Sequence, residues 1–132
     1  MSVESTRAVV SRYIDSDHTD LSTLSDDVIF TNMATGDENH GRDSVGQLLN
    51  YMYHVAFDAK AETRNIIVAD GKAVYEADFV GKHIGEFAGI PATNKNVRVP
   101  LCVVYDLAND RITRGRVYLE VPALMAQLNA AS

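Results

Sequence analysis

The run Ala61-Glu62-Thr63-Arg64-Asn65-Ile66-Ile67-Val68-Ala69-Asp70-Gly71-Lys72-Ala73-Val74-Tyr75-Glu76-Ala77-Asp78-Phe79-Val80-Gly81-Lys82-His83 decides the architecture. Its side chains alternate with a period of two on both sides of Asp70-Gly71, a pair with strong turn preference. The stretch therefore predicts two antiparallel strands, roughly 61–69 and 73–83, joined as a hairpin. Downstream, Val97–Leu107 and Ile112–Val121 alternate in the same way around a second tight turn at Asn109-Asp110. Pro122 stops the last strand and suits the first turn of a closing helix, Ala123–Leu128.

Upstream the period is helical. Val3, Val10, Tyr13 and Ile14 share one face of an N-terminal helix that Ser2 or Ser5 could cap. Asp20 opens a short helical turn, and Val28–Thr31 is β-branched and aromatic, hence a strand. Met33–Gly41 reads as a loop. Asp43 or Ser44 starts a second long helix, carrying Val45, Leu48, Leu49, Met52, Tyr53 and Ala56 on one face. Helices first, then a four-strand antiparallel meander, predict an α+β fold with helices packed on one face of a curved sheet.

The chain has 132 residues, which predicts a single domain over 1–132. Twelve Lys and Arg against eighteen Asp and Glu give a net charge of −6, without a basic run, which excludes the electrostatic footprint of a nucleic-acid or anionic-membrane binder. The single cysteine, Cys102, rules out an intrachain disulfide and a CxxC metal site, and its apolar neighbours predict a buried small side chain. Charged residues break up the first seventeen positions, so no signal peptide is expected. No segment approaches the ~18 apolar residues of a membrane span. A soluble, cytoplasmic protein is expected. His18, His40, His54 and His83 lack zinc-ligand spacing, and no nucleotide-binding glycine motif or nucleophile elbow is present. Neither a metal nor a cofactor is expected.

Two strands pose the functional question. Arg114, Arg116, Tyr118 and Glu120 share one face of the last strand, with Val117, Leu119 and Val121 on the other. Either the polar face meets solvent, or it lines a cavity while the apolar face meets a second subunit. In the strand 73–83, Glu76 and Asp78 lie between Val74 and Val80. They are surface acids paired with basic neighbours, or carboxylates in an apolar pocket with pKa values raised toward that of a general base. The alternation leaves both questions open.

The segment Gly81-Lys82-His83-Ile84-Gly85-Glu86-Phe87-Ala88-Gly89-Ile90-Pro91-Ala92-Thr93 resembles the glycine-flanked histidine and Pro-x-Thr region of SnoaL-like polyketide cyclases. Arg116-Val117-Tyr118-Leu119-Glu120, followed by Gln127-Leu128, resembles that family's closing segment, and Asn32-Met33-Ala34-Thr35 its Asn-Pro-Ala-Thr segment. The resemblance implies the nuclear-transport-factor-2-like cone, a curved antiparallel sheet closed by N-terminal helices and dimeric through the sheet's outer face. It favours the cavity reading of the polar strand faces.

By the same resemblance, Glu120 stands at the family's catalytic aspartate, the general base that removes a proton α to a carbonyl and starts an aldol ring closure. Asp78, from the acidic face of the strand 73–83, is expected to act as a second catalytic carboxylate. Asn32, His83, Arg116 and Tyr118 are implied substrate-binding residues. Glu120 is one methylene longer than aspartate, and Val103 stands where a pocket histidine would be. The expected function is cofactor-independent cyclisation or isomerisation of a small apolar substrate by a homodimer. The alternatives are a non-catalytic small-molecule binding module, a limonene-type epoxide hydrolase built on Asp78 and Glu120, and a structural dimerisation domain without a pocket.

Overall fold

A computed structural model describes residues 1–130. The described residues form three α-helices, α1 (Val3–Asp15), α2 (Arg42–Asn50) and α3 (Val121–Asn129). Six strands accompany them: β1 (Leu24–Asn32), β2 (Glu38–His40), β3 (Phe57–Ala69), β4 (Lys72–His83), β5 (Asn96–Ala108) and β6 (Arg111–Leu119). Ser2 caps α1 by accepting from the Ser5 amide, while the Ser5 hydroxyl accepts from the Ser2 amide, so both candidate serines form one capping box. Asp20 caps a 3₁₀ turn at Leu21–Thr23. α2 continues as a π-helical turn, Tyr51–Val55.

One sheet, in the order β2-β1-β6-β5-β4-β3, carries the helices. The two predicted hairpins close where expected: Ala69 pairs with Lys72 across Asp70-Gly71, and Ala108 with Arg111 across Asn109-Asp110. Two features differ from expectation. The predicted loop 33–41 contains β2, which pairs with β1. β1 itself runs parallel to β6, so the sheet is mixed. Neither pairing has a local signature, because β2 is three residues long and the β1–β6 contact joins opposite ends of the chain.

Alternation decides which residues meet the helices. Ala73, Tyr75, Ala77 and Phe79 of β4 face inward, opposite Tyr105, Val103, Leu101 and Val99 of β5. Val117 and Leu119 of β6 join them, paired with Val103 and Leu101. The core has two clusters. One joins α1 (Val10, Tyr13, Ile14) to the sheet; the other joins Leu124 and Leu128 of α3 to Phe57, Phe79, Val97 and Val99. Each fully buried aliphatic or aromatic side chain contributes about 1.5–3 kcal/mol. Among the described residues no helix is long and apolar enough to cross a membrane.

Candidate functional site

Between the two core clusters the helices and the sheet do not meet, and a cavity of about 300 Å³ remains. Phe30, Phe79, Leu101, Val103, Val117 and Leu119 supply the sheet wall; Leu48, Leu49 and Met52 supply the helical one. Asn32, Asp37 and Asn39, around the β1–β2 turn, form a polar mouth. Asp37 is the one carboxylate among the described lining residues, and it is exposed. Besides Thr31, the buried polar residues of the lining carry their polar atoms on aromatic rings: Tyr13, Tyr53, Tyr105 and the imidazole of His18.

The end of α1 delivers His18 to this wall. The Asp17 amide donates to Ile14 O (2.9 Å) and the His18 amide to Tyr13 O (3.1 Å), the paired bonds of a Schellman C-cap. That motif folds the second residue past the cap back onto the last turn. The His18 ring accordingly sits edge-on to Tyr13, with centroids 4.9 Å apart, and stacks on Tyr53 at 5.3 Å. Asp17 and His18 both adopt left-handed backbone, φ 56° and 64°, where glycine is usual. Such strain costs about 1–3 kcal/mol per residue and persists where the surroundings enforce it.

Burial sets the ionisation of these groups. It lowers the His18 pKa to about 4 despite the opposing pull of Asp17, so the imidazole is neutral at pH 7. Burial also raises the Tyr13, Tyr53 and Tyr105 phenols above their ordinary value, leaving them as hydrogen-bond donors. The Tyr13 hydroxyl is buried and has no hydrogen-bond partner among the described residues. A buried hydroxyl left in that state costs about 1–3 kcal/mol.

The sequence-derived candidates are divided among three places. Asn32 lines the cavity mouth. Asp78, Tyr118 and Glu120 lie on the open face of the sheet, around a shallow groove with Arg64 and Glu76. Arg116 is on that face too, donating to Asp106 at 2.8 Å, and Arg116 and Lys72 hold the Asp106 carboxyl below the usual range. The expected assignment of strand faces is thus reversed: Val117, Leu119 and Val121, expected at a subunit interface, line the cavity, while the polar face points away from it. The register explains this, because Val117 and Leu119 pair with the inward-facing Val103 and Leu101.

Asp78 and Glu120 do share the groove, but Asp78 is not a carboxylate of raised pKa. Arg64 and Arg98 donate to its Oδ2 at 2.7 and 2.9 Å and lower its pKa. A bulge that leaves Arg64 without a cross-strand partner sets up this grip, since the β3–β4 register shifts between Thr63 and Asn65. His83 lines neither space. It is fully buried against Phe57, its Nδ1 accepting from the Thr93 amide (3.2 Å), which ties down the segment after β4. Cys102, expected in the core, is half-buried on the open face. Among the described residues no three histidine, cysteine or carboxylate side chains are grouped to hold a metal.

Tyr13, Tyr53 and Tyr105 fill positions that periodicity assigns to the core, and His18 follows the first helix. The available signal was the tyrosine itself. A phenol at a core position brings a hydroxyl that needs a partner or a ligand.

The sequence profile of the SnoaL-like polyketide cyclases matches residues 8–128. No curated protein sequence matches the chain. Among solved structures, a protein assigned as a SnoaL-like polyketide cyclase from Jannaschia sp. CCS1 superimposes with a TM-score of 0.86 at 18% identity, over 98% of this chain and 94% of that one. TsrD from Streptomyces laurentii gives 0.82 at 18% identity, over 99% of both chains. A protein assigned as a ketosteroid isomerase from Kribbella flavida gives 0.69 at 14% identity, over 89% of this chain and 78% of that one. The curved sheet closed by helices is the nuclear-transport-factor-2-like fold, and with the profile matching nearly its whole length, the chain belongs to the SnoaL-like polyketide cyclase family.

Proposed function

We propose that this chain is a cofactor-independent enzyme of the cyclase or isomerase type, which binds a small, mostly apolar carbonyl compound in the cavity and removes a proton beside the carbonyl. The observation supporting this reading is one pair of residues on the wall of an apolar cavity: Tyr13, whose buried hydroxyl has no partner among the described residues, and the neutral His18 imidazole edge-on to its ring. A carbonyl oxygen accepting from Tyr13 gains a donor suited to the negative charge that develops there. The neighbouring imidazole is in its proton-accepting form. The α C–H bond breaks toward a His18 nitrogen, and its electron pair becomes the enolate. Reprotonation at another carbon gives isomerisation; attack on a second carbonyl carbon closes a ring. An imidazole of low pKa is a weak base, so the reading favours a C–H acidified by two flanking groups, as in a 1,3-dicarbonyl.

Deuterium uptake from D2O into 2-tetralone, an apolar ketone with an acidic α C–H, tests the proposal. The protein should accelerate uptake, and Tyr13→Phe should reduce the acceleration roughly 100-fold, the usual cost of losing one oxyanion donor. The same variant should be about 1 kcal/mol more stable in urea, because an unsatisfied hydroxyl is removed. Loss of uptake in Glu120→Gln with full uptake in Tyr13→Phe would return the base to the open face. The second reading, a non-catalytic binding module, draws on the exposed position of Asp37, the one carboxylate among the described lining residues. A melting shift with 2-tetralone and no deuterium uptake would select it.

A further inference from the structure

A second, surface pocket of about 180 Å³ opens on the other side of the His18–Tyr53 stack. Asp17, Asn50 and His54 line it, and it shares His18, Leu49 and Tyr53 with the cavity. The two rings, nearly parallel at 14°, therefore form part of the wall between the cavity and a pocket open to solvent. Both rings come from unusual backbone: His18 from the left-handed pair ending α1, and Tyr53 from the π-helical turn after α2. π-Helical turns occur preferentially at functional sites.

We infer that His18 is a proton relay between the cavity and this surface pocket. The inference rests on the proposed function and supplies that reaction with a route to water at the apolar end of the cavity, separate from the polar mouth at Asn32, Asp37 and Asn39. Imidazole has two nitrogens on separate edges of its ring, and the neutral form carries one N–H and one lone pair. A proton arriving from a substrate C–H forms a new N–H bond at the lone-pair nitrogen. The N–H on the other nitrogen then breaks and releases its proton to water in the surface pocket. The ring returns to neutrality as the opposite tautomer, and the reverse passage delivers a proton for reprotonation. Asp17, a carboxylate lining the outer pocket, draws positive charge toward the ring, and besides the stacked His18 and Tyr53 the remaining titratable group lining that pocket is His54. Burial makes the imidazolium short-lived, which suits transfer rather than storage.

His18→Gly provides the test, because glycine accepts φ 64° without strain and leaves a hole of imidazole's size. Deuterium uptake into 2-tetralone should fall roughly 100-fold or more. Added imidazole should restore it. 1-Methylimidazole, of similar shape and basicity, should not, since it has no proton to release from its second nitrogen. Equal rescue by both compounds would overturn the relay and leave His18 a simple base. An independent measurement uses the wild-type protein labelled with ¹⁵N-histidine and saturated with 2-tetralone. Exchange of the His18 ring N–H with water should persist while the cavity is filled, and its protection would overturn the relay whatever the rescue shows. Persistent exchange without deuterium uptake by the wild type would remove the enzymatic reading and leave the proton route standing.

Discussion

His18 owes its position to the way α1 stops. A Schellman cap normally has glycine at its left-handed position; here Asp17 takes it, and the chain turns back so that His18 lands on Tyr13. The buried imidazole has a folded pKa of about 4 against 6.5 in the unfolded chain. Between these values the unfolded state binds the extra proton, so stability rises with pH across the window. The contribution is fully present above about pH 6.5 and is lost as the pH falls toward 4, amounting to about 3 kcal/mol at 1.36 kcal/mol per unit. His18→Asn, which tolerates left-handed backbone, should lose this component. Urea unfolding at pH 7 and pH 4 measures it as a smaller pH difference in the variant. An unchanged difference would show that the ring is not desolvated. The lowered pKa values of Asp78 and Asp106 act at lower pH, in a window below their unfolded value of 3.8.

At the scale of the element, β6 sets the shape of the cavity. Gly115 faces inward beside Phe30, whose ring lies over it: a Cβ there would sit 2.8 Å from Phe30 Cε1. Phe30 lines the cavity, so a methyl group at Gly115 pushes that ring into the space a ligand would use. Gly115→Ala should cost about 1–3 kcal/mol through overpacking and weaken 2-tetralone binding. Calorimetric titration and thermal melting check the two effects together, and unchanged binding would place the ligand elsewhere. The Arg64 bulge acts similarly on the open face: of the two readings that alternation leaves, Asp78 is the acid paired with basic neighbours, held between guanidinium groups from the two flanking strands.

For the whole molecule, the reversed strand faces change the argument for a homodimer. The apolar stripe Val117, Leu119 and Val121 is occupied by the cavity, so any subunit contact through the sheet uses the charged open face. There Tyr118 is 47% exposed beside Cys102 and Glu120, the one aromatic among the described residues lining the groove. Sedimentation should give twice the 14.5 kDa chain mass, and Tyr118→Arg should shift the protein toward the monomer. A concentration-independent 14.5 kDa species would end the dimer expectation.

The sequence by itself determined the α+β class, the hairpins at Asp70-Gly71 and Asn109-Asp110, the serine cap of α1 and the helical faces carrying Tyr13 and Tyr53. These follow from local periodicity and turn chemistry, which act over a few residues. The resemblance carried by residues 81–93 and 116–120 also pointed to the family. Only the tertiary structure decided which face of β6 looks inward, because alternation divides a strand into two faces without naming the buried one. That choice comes from pairing with β5 and from parallel pairing with β1, more than eighty residues distant in the chain. It moved Arg116, Tyr118 and Glu120 to the open face and brought Tyr13, His18 and Tyr105 together at the cavity. Three side chains from a helix, its cap and a distant strand meet only when the sheet curves beneath the helices, so no spacing in the sequence records their contact.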